Sequence, residues 1–80
     1  MTVSFHALAD ARRVEILDLL RDAGEVPVGA LVDRLPIAQS GVSRHLRILR
    51  EAGFVQVRRD GQQRLYSLCP GPFEAMDAWL

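Results

Sequence analysis

Residues 38–53 read AQSGVSRHLRILREAG, and on a helix advancing about 100° per residue this run divides into two faces. Val42, Leu46 and Leu49 fall on one side as a stripe suited to burial, while Ser40, Ser43, Arg44 and Arg47 fall opposite. The spacing predicts a helix over about 39–52, closed by Gly53, since glycine readily takes the left-handed conformation common just past a helix end.

Upstream, residues 5–21 read as helix, with Asp10 able to cap a second segment in which Arg13, Ile16, Leu17 and Leu20 recur at helical spacing. Gly24 stops it. Pro27 suits the first turn of a short second helix with Ala30, Leu31, Val32 and Leu35 as apolar positions; Pro36 closes that helix and leaves 36–39 as a tight connection. Downstream the period changes to two: 54–59 (FVQVRR) and 63–68 (QRLYSL) are strand-like runs, and Asp60-Gly61 between them is a two-residue hairpin signal. Pro70-Gly71-Pro72 interrupts the pattern, and Phe73, Met76, Trp79 and Leu80 mark a last helix over about 72–80.

Helix, short helix, tight connection, helix, hairpin is the order of a winged helix-turn-helix. The expected fold is mainly α with a two-stranded β-wing over about 54–68, in one domain covering 1–80. In that arrangement the second helix of the pair enters the major groove of DNA and the hairpin reaches along the backbone.

Charge distribution agrees with this although net charge does not. The formal net charge is zero, with ten arginines, no lysine and ten acids. Residues 39–66 nevertheless hold six arginines (44, 47, 50, 58, 59, 64) against Glu51 and Asp60, while 1–38 hold four against six acids. A basic centre between acidic flanks suits a nucleic-acid face, and arginine suits bidentate phosphate or guanine contacts. The single Cys69 cannot form an internal disulfide, no stretch approaches the ~20 apolar residues of a membrane span, and no signal-peptide layout opens the chain. The expected location is cytoplasmic, away from membranes.

The expected DNA-binding set is Gln39, Ser40, Ser43, Arg44, His45 and Arg47 on the helix, with Arg58, Arg59, Gln62, Gln63 and Arg64 bracketing the hairpin turn. Each has a plainer reading. Ser40 can cap the helix, Arg47 can pair with Glu51 at i, i+4, and the polar hairpin tip can simply be solvated. Arg50 reads as backbone or surface. No Ser/His/Asp or Cys/His set, carboxylate pair or phosphate-cradling glycine loop suggests an enzyme, and no cofactor is expected.

At Leu8-Ala9-Asp10 through Ile16–Leu20, across 39–53 and through the wing from Val57 to Leu68, the chain resembles the ArsR-type family of bacterial transcriptional repressors. The combination Ser-x-x-Ser-x-His-Leu followed by Leu-Arg-Glu-Ala-Gly carries most of the likeness. The resemblance implies a homodimer, joined through first and last helices, that occludes a promoter; here those helices offer Phe5, Leu8, Phe73, Met76, Trp79 and Leu80. Two subunits would read a palindromic double-stranded operator with half-sites about 34 Å apart. The resemblance also makes His45 a DNA-proximal donor, whereas its place about 60° from the stripe's centre reads as half-buried packing; both stand.

Metal-sensing members of the family carry cysteines in the run that here reads Glu25 to Leu31, and Pro27 and Gly29 stand where those thiolates would be. The other family metal site needs Asp, His and Glu on a long last helix, of which this sequence supplies Glu74 and Asp77. The likeness is to the metal-independent branch, with no metal ligand set and no inducer evident. Two alternatives stay open: a winged helix used for protein interaction, which zero net charge suits, and a redox-responsive repressor acting through Cys69.

Overall fold

Asp10 sets where the first long helix begins. Its backbone is extended (φ −97°, ψ 124°) and its carboxylate accepts the Arg12 N–H at 2.8 Å, capping α1 (Ala11–Ala23). In this computed structural model, which describes residues 5–70 apart from the Phe5 side chain, the segment before Asp10 is a separate 3₁₀ turn, Phe5–Ala9. The expected continuous helix over 5–21 is therefore two pieces, because a capping residue cannot itself be helical. Arg13 Nε fastens the pieces by donating to the Ala7 carbonyl at 2.6 Å, which explains why a charged residue lies on the inward row of α1.

Gly24 (φ 85°) ends α1 by donating to the Leu20 carbonyl at 2.8 Å. A strand follows that sequence reading misses: β1 (Glu25–Pro27) precedes α2 (Val28–Arg34), so Pro27 is the N-cap and the helix begins one residue later. Leu35 closes α2 as a buried C-cap. Then come α3 (Gln39–Glu51), β2 (Val55–Asp60) and β3 (Gln63–Leu68). Gly53 sits at φ 89°, as the helix-end reading requires.

The expected two-stranded wing is part of a three-stranded antiparallel sheet in the order β1-β3-β2. The hairpin turn also differs by one residue. Asp60 pairs with Gln63, so the turn is Gly61-Gln62 rather than Asp60-Gly61, with positive φ (63°) only at Gly61. A turn of that kind strains no side-chain-bearing residue, whereas one centred on Asp60-Gly61 with both positions left-handed places an aspartate at positive φ.

Phe54, Ile16, Leu20, Leu31, Leu46, Leu49 and Val42 are fully buried. Side chains of α1, α2 and α3 meet there, and Val26 and Val55 close the core from the sheet. The sheet's inner face thus carries Val26, Val55 and Val57 with their register partners Tyr66 and Leu68; its outer face carries Glu25, Pro27, Gln56, Arg58, Leu65 and Ser67. Leu8, expected in a dimer interface, is half-buried and packs on the core. Phe73, Met76, Trp79 and Leu80, the expected last helix and the Phe5 side chain lie outside what is described.

Candidate nucleic-acid interface

The core fixes which way α3 faces. With Val42, Leu46 and Leu49 buried, the residues opposite, Ser40, Ser43, Arg44 and Arg47, are exposed, and so are Arg50 on the flank and Gln39 at the first turn. The N-cap is Ala38 and makes no side-chain bond, so Ser40 is not the cap. No acid lies in the first turn. The helix start therefore offers unpaired N–H groups and an uncompensated positive dipole end beside two serine hydroxyls.

Arg47 does not pair with Glu51. Among the described residues the ion pairs are Arg12–Glu15, Arg13–Asp10, Arg21–Asp18, Arg21–Asp22 and Arg58–Glu25. Arg44, Arg47, Arg50, Arg59 and Arg64 are absent from that set.

His45 is half-buried, and its Nδ1 is covered with no hydrogen-bond partner. It lies on the flank towards α1, near enough to act on Asp10. The Asp10 carboxyl is held below its ordinary value chiefly by the Arg12 N–H bond, with the charges of His45 and Arg13 adding to it.

The wing divides its arginines between two faces. Arg59 and Arg64 are direct cross-strand partners on the inner-face row continuing from Val57 and Tyr66. Together with Arg50 from the end of α3, Val57 and Arg58 they line an open hollow of about 440 Å³. Arg58 borders that hollow but turns its guanidinium elsewhere: Nε and Nη2 both donate to the Glu25 carboxylate, each at 2.7 Å. That fork lowers the Glu25 carboxyl and raises the Arg58 guanidinium from their ordinary values. Gln62 and Gln63 are exposed at the tip. Sequence reading missed the grouping of Arg50 with the wing, because packing of α3 against β2 brings them together, and it missed Glu25, which is 33 residues from its partner.

The remaining titratable oddity is Cys69. Its thiol is half-buried and burial raises its pKa. Near the 3₁₀ turn a second hollow of about 360 Å³ is lined by His6, Ala7, Arg13, Ile48, Glu51 and Ala52. No helix among the described residues is long and apolar enough to cross a membrane.

Comparison with known proteins agrees with this geometry. Residues 10–57 match the model described as "Bacterial regulatory protein, arsR family". The chain is 40% identical over 74 residues to the transcriptional activator HlyU of Vibrio cholerae, covering 92% of this chain and 68% of that protein. It is 40% identical over 78 residues to the arsenic resistance transcriptional regulator ArsR1 of Pseudomonas putida, covering 98% of this chain and 61% of the relative, so it spans less than two thirds of that protein. The solved structure of reduced HlyU from Vibrio cholerae superimposes with a TM-score of 0.80 at 39% identity, over 95% of this chain and 79% of that one.

Proposed function

The chain belongs to the arsR family of bacterial regulatory proteins and is a DNA-binding transcriptional regulator, and from that premise we propose that it acts as a homodimeric repressor occluding a promoter. In this reading 1–80 form one DNA-binding unit. Helix α3 reads the major groove, the β2–β3 hairpin grips the backbone, and a last helix over about 72–80 completes the dimer with the N-terminal segment.

What carries the reading is the coincidence of two exposed features: the Ser40, Ser43, Arg44, Arg47 row on α3, and Arg50, Arg59 and Arg64 around the neighbouring hollow. None of these arginines is ion-paired among the described residues. In this reading Arg44 and Arg47 meet base edges, where a bidentate guanine contact discriminates by ~1–3 kcal/mol, and Arg59 and Arg64 meet phosphates. Val14 on α1 supports the dimer, being an exposed large apolar side chain (39%) on the helix surface.

Pro27 and Gly29 stand where metal-sensing members of the family carry cysteines and have no thiolate to offer, so this reading assigns the protein no cysteine metal sensor. Cytoplasmic location follows from DNA as the partner.

Selecting bound duplexes from genomic DNA, then titrating the winner with wild type, Arg44→Ala and Arg47→Ala, tests the proposal. Each variant is expected to weaken binding roughly tenfold or more while keeping the wild-type melting curve and sedimenting as a dimer. Undiminished binding by both variants refutes the assignment of α3, and a monomer on DNA refutes the dimer.

A further inference from the structure

The Glu25–Arg58 pair stands apart from the other arginines of the basic half, and its position in the sheet gives it a mechanical task. β1 pairs only with Leu65, Tyr66 and Ser67 of β3. Beyond that, the pairs Arg59↔Arg64 and Asp60↔Gln63 and the turn form a two-stranded overhang held by β2 and β3 alone. Such ribbons twist and flex when nothing flanks them. Arg58 is the last β2 residue whose register partner, Leu65, is still backed by β1.

From that root Arg58 reaches across the central strand to Glu25 on β1, with Nε and Nη2 each 2.7 Å from a carboxylate oxygen. The bridge has to cross the outer face of β3, where Leu65, flanked by Pro27 and Arg58, is only 9% exposed and stands outside the main core cluster. An arginine stem can cover apolar surface while its head is held by charge, and a planar guanidinium gripped at two atoms is fixed in direction as well as distance. β1 is itself fixed, since Pro27 is the N-cap of α2.

We propose that Glu25 and Arg58 are positioning residues that brace the root of the wing against the helical body and so aim Arg59 and Arg64 at DNA phosphates, Arg58 making no phosphate contact of its own. This rests on the DNA-binding reading above. Arg58 therefore leaves the expected contact set, and Glu25, an acid, joins the machinery of a DNA-binding face.

The test measures affinity for the selected duplex against salt for wild type, Arg58→Ala, Glu25→Ala and the exchanged pair Glu25→Arg/Arg58→Glu, with melting curves as folding controls. A phosphate contact contributes about 0.9 to the slope of log affinity on log salt; a brace contributes none. Both alanine variants are expected to lose about two- to tenfold in affinity, the scale set by disordering one long side chain that must be ordered on binding, with the wild-type slope kept. The exchanged pair is expected to restore affinity. A slope reduced by about 0.9 per chain in Arg58→Ala, tighter binding by Glu25→Ala, or failure of the exchange with folding intact overturns the brace. Absence of salt-dependent binding by wild type refutes instead the DNA-binding reading beneath it.

Discussion

Replacing Arg59 and Arg64 together by threonine is expected to move binding and stability in opposite directions. The two guanidinium groups stand on directly opposed residues of a two-stranded overhang, exposed and without an ion-paired acid among the described residues. Directly opposed like charges destabilise a strand pair, on the scale of about 0.2–1 kcal/mol that cross-strand pairs carry. Threonine adds β-branched side chains and a Thr–Thr cross-strand pair. The variant should therefore melt higher by roughly 1–8 °C, since 1 kcal/mol is worth about 4–8 °C in a domain of this size.

Binding should move the other way. Two lost phosphate contacts per chain lower the salt slope by about 1.8. Between 50 and 200 mM salt, a fourfold change, wild type then loses about 12-fold more affinity per bound chain than the variant, or about 150-fold more if two chains bind together. Fluorescence anisotropy on the selected duplex across that salt range, with calorimetric or circular-dichroism melts of the same samples, reads both effects. An unchanged slope refutes the phosphate role of these arginines, and a lower melting temperature refutes the claim that the bare hairpin carries unrelieved repulsion.

Gly29 lies in α2 at ordinary helical φ with no atom within 4 Å of where a Cβ would stand; Gly29→Ala should stabilise by about 0.4–1 kcal/mol in a urea melt without altering DNA affinity. The Asp10 and Glu25 carboxyls are both held below their ordinary values, by the Arg12 N–H and the Arg58 guanidinium respectively. What they add to stability is complete above the ordinary carboxylate range and is lost as pH falls through it, from about 4.5 downward, towards the lowered folded values. Melts between pH 7 and 2 should show a shallower acid limb in Asp10→Asn/Glu25→Gln than in wild type. Burial raises the Cys69 thiol, so labelling by a thiol reagent at pH 7 should be slow in the folded protein and fast in denaturant; equal rates contradict its shielding.

The parts of this fold that local patterning encodes were readable in advance. Val42, Leu46 and Leu49 repeat at helical spacing and all three are buried, Asp10 caps α1, and Gly53 is left-handed. What escaped depends on partners that local periodicity does not show. β1 is three residues long, too short to show a period of two, and Pro27 at its end also caps α2 and so reads as helix; only pairing with β3 makes the segment a strand. Arg13 looks misplaced on an inward row until Ala7 supplies its acceptor. Arg50 and Arg58 are indistinguishable by local composition, yet one joins the wing's unpaired arginines and the other is tied to Glu25.

That last distinction answers the objection that a chain of zero net charge makes a poor DNA ligand. Pairing divides the ten arginines into two groups. Arg12, Arg13 and Arg21 on α1 pair with acids three residues away or adjacent, and Arg58 pairs across the sheet, so most of the acidic residues described are spent on structural cations. Among the described residues, the arginines left without an ion-paired acid are Arg34 and the five on α3 and the wing. At physiological ionic strength exposed charges more than about 8 Å apart are largely screened from one another, and the molecule measures 35 Å along its longest axis. An approaching phosphate at the hollow between α3 and the wing responds to Arg50, Arg59 and Arg64, while the acids on and capping α1 are paired with Arg12, Arg13 and Arg21, Asp18 and Asp22 sharing the last. Local pairing, and not the sum over the chain, sets the sign of the field that DNA meets.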